Sequence, residues 1–577
     1  GSPTHPEVCR PAPGRCELGA PSKSERLCCG WTTLSEPAMS AAHAATSAKL
    51  MNALSGSQRA NLKMAIVIFG LAYVLKRFTD FMRWRGRLIK AYPGSKSPSL
   101  VLGDLRELIN SGGFGEEFFI KLHEDHGEFA RFFLGPTIVN FSTCNPAHVA
   151  ELYKKTSSRP FETYIFLSFL GKENLLFQHG AMVKQLRLRY GRMISNVDQL
   201  RKVNEVSFRE FGDLHRTWSI ERRPDGLDVH FAVGPYIYDI MGQVLFGGSW
   251  TTSDIGQRIM ANHKYLIKWI NTWMFWPFPP YFLSKYREFM ATKKEWRQLC
   301  EQLLEERKAN MQAEPAKWEK DDSALTLLLT SKDETGKPFF TRELAISTMC
   351  GFLNGAYDTT HATLYWATFN LARYPHVQEK LRRELQSALG SRTECSLDEL
   401  RSFEYLDAFM KESMRFSPTV PVNQRVNYEE DITIGGWTIP KGTNVNVPMR
   451  KTFQSPEYFG HDALQFRPER FMADDPIHQT AREKLTAFGG YTRLCIGEVF
   501  AKGEFKAYII SLVQRYNITF VNPDTVSSQA YVEAGVNQPK HKALFRFAPV
   551  DAVEEVDAAQ NLSWWTSPSP KSVSSSR

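Results

Sequence analysis

Ten residues constrain this chain more than any others: Phe488 to Gly497, FGGYTRLCIG. They run directly into an apolar stripe at spacings of three and four, formed by Ala501, Phe505, Tyr508, Ile509, Leu512, Val513 and Tyr516. That spacing predicts a helix. Cys495 therefore sits in a glycine-rich loop at a helix N-terminus, where the dipole and free N–H groups favour an anion such as a thiolate. Gly497 lets the backbone approach a flat ligand closely. Arg493 can reach a carboxylate on that ligand, and Phe488 can cover its face and keep water away. A haem held through cysteine has these requirements. A cysteine before a helix is also commonly inert packing, so the loop by itself leaves both readings open.

The loop resembles the haem-binding signature of the cytochrome P450 family, Phe-x-x-Gly-x-Arg-x-Cys-x-Gly. The match covers Phe488, Arg493, Cys495 and Gly497; Tyr491 stands where the family has its inner glycine, with Gly490 beside it.

Residues 347–375, STMCGFLNGAYDTTHATLYWATFNLARYP, read as a long apolar helix ended by Pro375. Gly355 and Ala356 lie one turn before Thr359, and their small side chains leave a gap. The Thr359 hydroxyl can bond back to the Gly355 carbonyl and open the ladder. The result is a notch with a hydroxyl and a nearby carboxylate, Asp358. A buried back-bonding threonine is the plain alternative. The family carries Ala-Gly-x-Asp-Thr-Thr here, and this chain has Gly-Ala-Tyr-Asp-Thr-Thr. The resemblance implies that Thr359 and Asp358 are catalytic: Thr359 acts in oxygen activation and Asp358 feeds protons. It implies that Gly355, Ala356, Phe166, Phe169 and Leu175 line the substrate pocket.

Further marks follow in the family's order. Glu412 and Arg415 lie three apart in YLDAFMKESMRFSP and share a helix face; FRPERF carries Arg470. The resemblance implies that Glu412, Arg415 and Arg470 form a buried structural charge network. GGWTIPKGTNV (435–445) is similar to the family's short sheet. Arg425 stands where a propionate-binding arginine occurs. Arg187 is the second such candidate, with Val183 where the family has tryptophan. The resemblance runs from about 92 to 548. It implies a cytochrome P450 fold, mainly α with small β-sheets, around haem b (iron protoporphyrin IX) with Cys495 as axial ligand.

The implied reaction inserts one atom of O2 into a C–H bond of a lipophilic small molecule. The implied electron donor is NADPH-cytochrome P450 reductase, with cytochrome b5 as an accessory. Lys502, Lys506 and Arg515 can steer an acidic partner or be ordinary surface charge. The aromatic run 266–282, LIKWINTWMFWPFPPYF, fits a substrate that arrives from a bilayer. Overall resemblance points to a divergent protozoan-type member acting on a sterol, at a C4 methyl. A fatty-acid or xenobiotic hydroxylase, a haem-thiolate isomerase or dehydratase, and a non-enzymatic haem-binding protein are the alternatives. Asp358 argues against sterol 14α-demethylation, since those enzymes usually carry histidine there.

Composition sets the remaining bounds. The chain has 577 residues, 42% hydrophobic and 23% charged, which is globular. Its mean hydropathy of -0.34 excludes a polytopic membrane protein. A net charge of +9 does not argue for nucleic acid, and no nucleic-acid partner is expected. Nine cysteines lack any Cys-x-x-Cys pair, so no zinc site is expected. Residues 1–38 read as a disordered or non-native leader, 39–63 as a polar and basic segment, and 64–90 as a membrane anchor with a basic flank. Residues 91–97 read as a Pro/Gly hinge, 98–550 as the catalytic domain and 551–577 as a disordered tail. The apolar run MAIVIFGLAYVL gives only ~18 Å of helix against a hydrocarbon core of ~30 Å. Its flank of Lys76, Arg77, Arg83, Arg85, Arg87 and Lys90 suits a headgroup region. A monomer on the cytoplasmic face of the endoplasmic reticulum membrane is expected. The rival is a mitochondrial presequence, since 39–79 holds no acidic residue.

Overall fold

The structure is a computed structural model and describes residues 56–111, 116–160, 168–218, 225–274, 280–526, 530–533, 535–541 and 543–550. The leader 1–38, the tail 551–577 and Phe166 lie outside the described residues. The chain divides into two compact units, 1–87 and 88–577. Helix α1 (Gly56–Ala91), most of which belongs to the first, exposes Met64, Ile66, Val67, Ile68, Phe69 and Leu71. Among the described residues no helix is long and apolar enough to cross a membrane.

The second unit is built from helices around one large apolar core. Its frame comprises α2 (Gly180–Ile194), α3 (Gly234–Met241), α4 (Asp254–Met274), α5 (Ser284–Ala313), α6 (Arg342–Arg373), α7 (Glu404–Phe416) and α8 (Glu498–Arg515). Helix α6 is capped by Thr341, whose side chain accepts from the Leu344 N–H, and it ends before Pro375. It is apolar on nearly every side and runs through the core, as a helix without a polar face must. Helix α8 buries Phe505, Tyr508, Ile509, Leu512 and Val513, most of the expected stripe.

A four-stranded sheet flanks the helices. Its strands are β1 (Phe129–Leu134), β2 (Ile138–Thr143), β3 (Val422–Arg425) and β4 (Asn444–Pro448), in the order β1-β2-β4-β3. Strand β3 pairs antiparallel with β4, matching Arg425 to Val445. Alternation puts Asn423 and Arg425 on one face of β3, and both are buried. The expected Gly-Gly hairpin forms between Ile432–Ile434 and Trp437–Ile439, with Gly435 and Gly436 at φ 53° and 84°. The stretch read as a hinge is tied to this unit: the Arg131 N–H donates to the Pro93 carbonyl at 2.7 Å, and the Tyr92 hydroxyl bonds the Thr438 carbonyl.

Candidate functional site

The cysteine loop is closed by the Cys495 N–H donating to the Phe488 carbonyl at 2.9 Å. Gly489 takes φ 77°, and Tyr491 takes φ 52°, the one non-glycine residue with positive φ among those described. The turn that a glycine would make at Tyr491 is therefore made by a tyrosine, at a cost in backbone strain. Gly490 is needed for a different reason: a Cβ there would stand 2.9 Å from a ring carbon of Tyr153. Tyr491 is exposed and its ring is not part of the core. Tyr491→Gly should thus stabilise the protein by about 0.5–1 kcal/mol. The check is a higher urea midpoint at unchanged slope.

Cys495 lies deep in the protein yet is solvent-accessible, because a cavity opens onto it. Burial pushes its thiol up from the ordinary value; the Gly497 N–H, Arg187 and Arg159 pull the other way and do not offset it.

The cavity has a volume of about 1020 Å³. Cys495, Phe488 and Gly497 line it from the loop, and Gly355, Ala356 and Thr359 line it from α6. Gly355 and Gly497 both have open space where a side chain would stand. The Thr359 hydroxyl donates to the Gly355 carbonyl at 2.6 Å, as the spacing predicts. The Thr363 hydroxyl repeats the pattern on the Thr359 carbonyl at 2.7 Å.

Two expected neighbours are placed elsewhere. Asp358 is buried behind the cavity wall, with its carboxylate 3.6 Å from His263 Nε2 on α4. Phe169 is wholly buried against Trp296 at 5.5 Å between ring centroids and does not line the cavity. Its turn of chain points into the core, whereas Leu175, expected with it, and Leu176 face the cavity.

Four arginines crowd one side of the site. Arg159, Arg187 and Arg493 line the cavity, and Arg425 stands behind them against the Tyr153 ring at 4.4 Å. No acidic side chain of the described residues pairs with any of the four. Burial, then Arg159 and Arg493, push Arg425 down to about 9. Burial, then Arg159 and Arg187, push Arg493 down to about 10. Arg425 donates to the Asn423 side chain, and its Nε and Nη2 are buried without a hydrogen bond. Arg493 already donates to the carbonyls of Ser157 at 2.6 Å, Leu175 at 3.0 Å and Gln178. Such a cluster of cations is stable only beside anions. The two propionates of haem b would supply that charge, and a thiol faces the same cavity, so the residues fit the group. Arg159 was not evident from sequence: it sits in an aperiodic stretch before Pro160, and only the tertiary fold brings it to Arg425.

The scaffold network is present as the resemblance implies. Glu412, Arg415 and Arg470 are fully buried. Arg415 binds Glu412 bidentately at 2.7 and 2.8 Å, and Arg470 Nε approaches both carboxylate oxygens at 3.1 and 3.2 Å. Arg415 also donates to the carbonyls of Phe453 at 2.8 Å and Ala463 at 2.7 Å.

The residues expected to steer a partner are not a free basic face. Lys506 is buried and paired with Asp407 at 3.2 Å; Lys502 is held by Glu498 at 2.6 Å. Arg515 donates to Thr393 at 2.8 Å. Helix α2 instead carries Lys184, Arg187, Arg189 and Arg192 with no acid, and Arg187 donates to the Leu494 carbonyl at 2.6 Å beside the cysteine.

The Cytochrome P450 family model matches residues 93–545. Mouse cytochrome P450 2B9 is 23% identical over 508 residues, covering 83% of this chain and 99% of its own length. The mouse mitochondrial 1,25-dihydroxyvitamin D(3) 24-hydroxylase is 32% identical over 195 residues, 34% of this chain and 36% of its own. The solved structure of retinoic acid bound cyanobacterial CYP120A1 superposes with a TM-score of 0.67 at 19% identity, over 80% of this chain and 99% of that one. A match this long accounts for the helical frame and for the cavity between thiol and threonine together: the chain belongs to the cytochrome P450 family, monooxygenases that work through haem b.

Proposed function

We propose that Cys495 is the axial ligand of the haem and that the protein hydroxylates a neutral lipophilic substrate, a sterol, in the space above it. One observation carries this reading: a single cavity is lined by both Cys495 and Thr359. When bound, haem b supplies the oxygen chemistry, placing one atom of O2 in a C–H bond and reducing the other to water with two electrons. Arg159, Arg187 and Arg493, with Arg425 behind them, would hold its propionates. Phe488 and Gly497 flank the sulfur, the first excluding water and the second leaving room for the ring.

Thr359 offers a hydroxyl to the same cavity, and its bond to the Gly355 carbonyl leaves the oxygen able to accept. Its role is to hold a proton-bearing group at the reacting oxygen. In Thr359→Ala, less product should form per NADPH and more hydrogen peroxide should appear, with haem content unchanged. Unchanged coupling counts against the role.

Substrate charge follows from the lining. The cations of the cavity, Arg159, Arg187 and Arg493, all belong to the cluster near the cysteine loop. The remaining polar lining groups include neutral Asn174, Asn354, Thr360 and Gln424. Among the described residues a fatty-acid carboxylate finds no separate cation there, which favours a neutral sterol. The relative named for 1,25-dihydroxyvitamin D(3) supports a substrate of that shape; attack at a C4 methyl is the narrower form of the proposal. Spectral titration with sterols and fatty acids tests the class.

Basic α2, beside the cysteine loop, fits an acidic electron donor such as NADPH-cytochrome P450 reductase, with cytochrome b5 sharing the face. The exposed apolar run of α1 and its basic flank support attachment at the cytoplasmic face of the endoplasmic reticulum membrane.

A further inference from the structure

Residues 170–178 form a strap that is tied on two sides. Toward α5 and α6, the Arg297 guanidinium donates to the Leu170 carbonyl at 3.2 Å, and the Thr341 hydroxyl donates to the Glu173 carboxylate at 3.2 Å. The Asn174 amide nitrogen donates to the Ser347 carbonyl of α6 at 2.7 Å. Toward the cysteine loop, Arg493 donates to the Leu175 carbonyl at 3.0 Å and to the Gln178 carbonyl. Among these ties lie Leu175 and Leu176, both of which line the cavity. The Asn174 side-chain oxygen accepts from the Leu176 N–H at 3.1 Å and so caps the short turn Leu175–Phe177. One buried side chain thus fixes the turn that carries both leucines and fastens it to α6.

Gly351 makes that fastening possible. It follows Ser347 by one helical turn and lines the cavity. A Cβ there would stand 2.2 Å from the Asn174 amide nitrogen. Gly355, one turn on, has open space at its Cβ position instead. The obstacle at residue 351 is the end of a side chain and not backbone, so an alanine fits once Asn174 swings off the Ser347 carbonyl. Alanine also suits a helix interior better than glycine does. Gly351→Ala therefore breaks the tie and keeps the fold.

We propose that Asn174 and Gly351 act as one specificity-determining clamp, which holds Leu175 and Leu176 as a fixed wall and so limits how wide a neutral lipophilic substrate can be. The inference rests on the reading that haem occupies this cavity on Cys495. Neither residue needs to touch the reacting atoms, because the clamp acts through the two leucines. An apolar wall selects by shape, and a wall that yields selects less.

The test uses the full haem-loaded protein and two nitrogen ligands of ferric haem, imidazole and the bulky triarylmethyl imidazole clotrimazole. Each is titrated by its absorbance shift. Imidazole is too small to meet the wall, and clotrimazole is not. Asn174→Asp keeps the side-chain size and the cap but loses the donor. Its ratio of clotrimazole to imidazole affinity should differ from that of the wild type by about three- to tenfold, the scale of one hydrogen bond. Gly351→Ala should move the ratio in the same direction. The double variant should move it no further than either single one, since both break one tie. Should Asn174→Asp fail to accumulate with haem, Asn174→Ser takes its place, because serine also caps and is too short to reach Ser347. A general loss of stability lowers haem content and leaves the ratio in place. An unchanged ratio in the single variants, shifts of opposite direction, or shifts that add in the double variant overturn the clamp. If neither ligand shifts the wild-type spectrum, the haem reading fails and the clamp with it. If imidazole shifts that spectrum and the variants keep the wild-type ratio, the clamp alone fails.

Discussion

Glu412→Gln lowers stability by about 3–5 kcal/mol, the scale expected when one partner of a buried ion pair is removed. The amide keeps the shape and removes the charge. Arg415 and Arg470 are both fully buried and share that one carboxylate. Arg470 retains Asp462 at 2.9 Å, but Arg415 keeps only backbone carbonyls. The Arg467 N–H also loses an ionised acceptor at 2.7 Å. These bonds tie α7 to the Phe453–Phe471 segment that precedes the cysteine loop, so haem retention should fall along with the urea midpoint. A loss below about 1 kcal/mol, the value of an exposed pair, would mean that the network is open to solvent.

Cys495→Ala abolishes monooxygenase turnover and leaves the protein folded. The side chain faces the cavity and packs no core cluster, so its removal creates no new void in the core. The loop is held by the bond from residue 495 N–H to the Phe488 carbonyl, which alanine preserves. The arginine cluster is also untouched, so haem can still be held by its propionates while its iron lacks sulfur. The ferrous carbonyl complex of the variant should lose the long-wavelength band that a thiolate ligand gives. Full turnover in Cys495→Ala would remove the sulfur from the mechanism.

Local patterns were the legible part of this site. Glu412 and Arg415 at a spacing of three, Thr359 bonded one turn back to Gly355, and the Gly-Gly hairpin all follow from helix and strand periods. Contacts between distant segments were not legible. Arg159 and Arg425 meet across β3, and neither stretch carries a pattern that announces it. Lys506 reads as surface charge on α8 until Asp407 of α7 is laid beside it. Asp358 and Thr359 are adjacent in sequence, yet a helix turns successive residues by about 100°, so one faces the cavity and the other faces α4. Phe169 packs into the core because Trp296 meets it there. Tyr491 stands where a glycine is expected, and the backbone makes the turn there and accepts the strain.

The most direct measurement is X-ray absorption at the iron edge of the full chain purified with its haem, beside Cys495→Ala. The account predicts one sulfur at bonding distance to iron in the wild type and none in the variant. Iron bound only by nitrogen and oxygen in the wild type, or a sulfur neighbour that persists in Cys495→Ala, would contradict it.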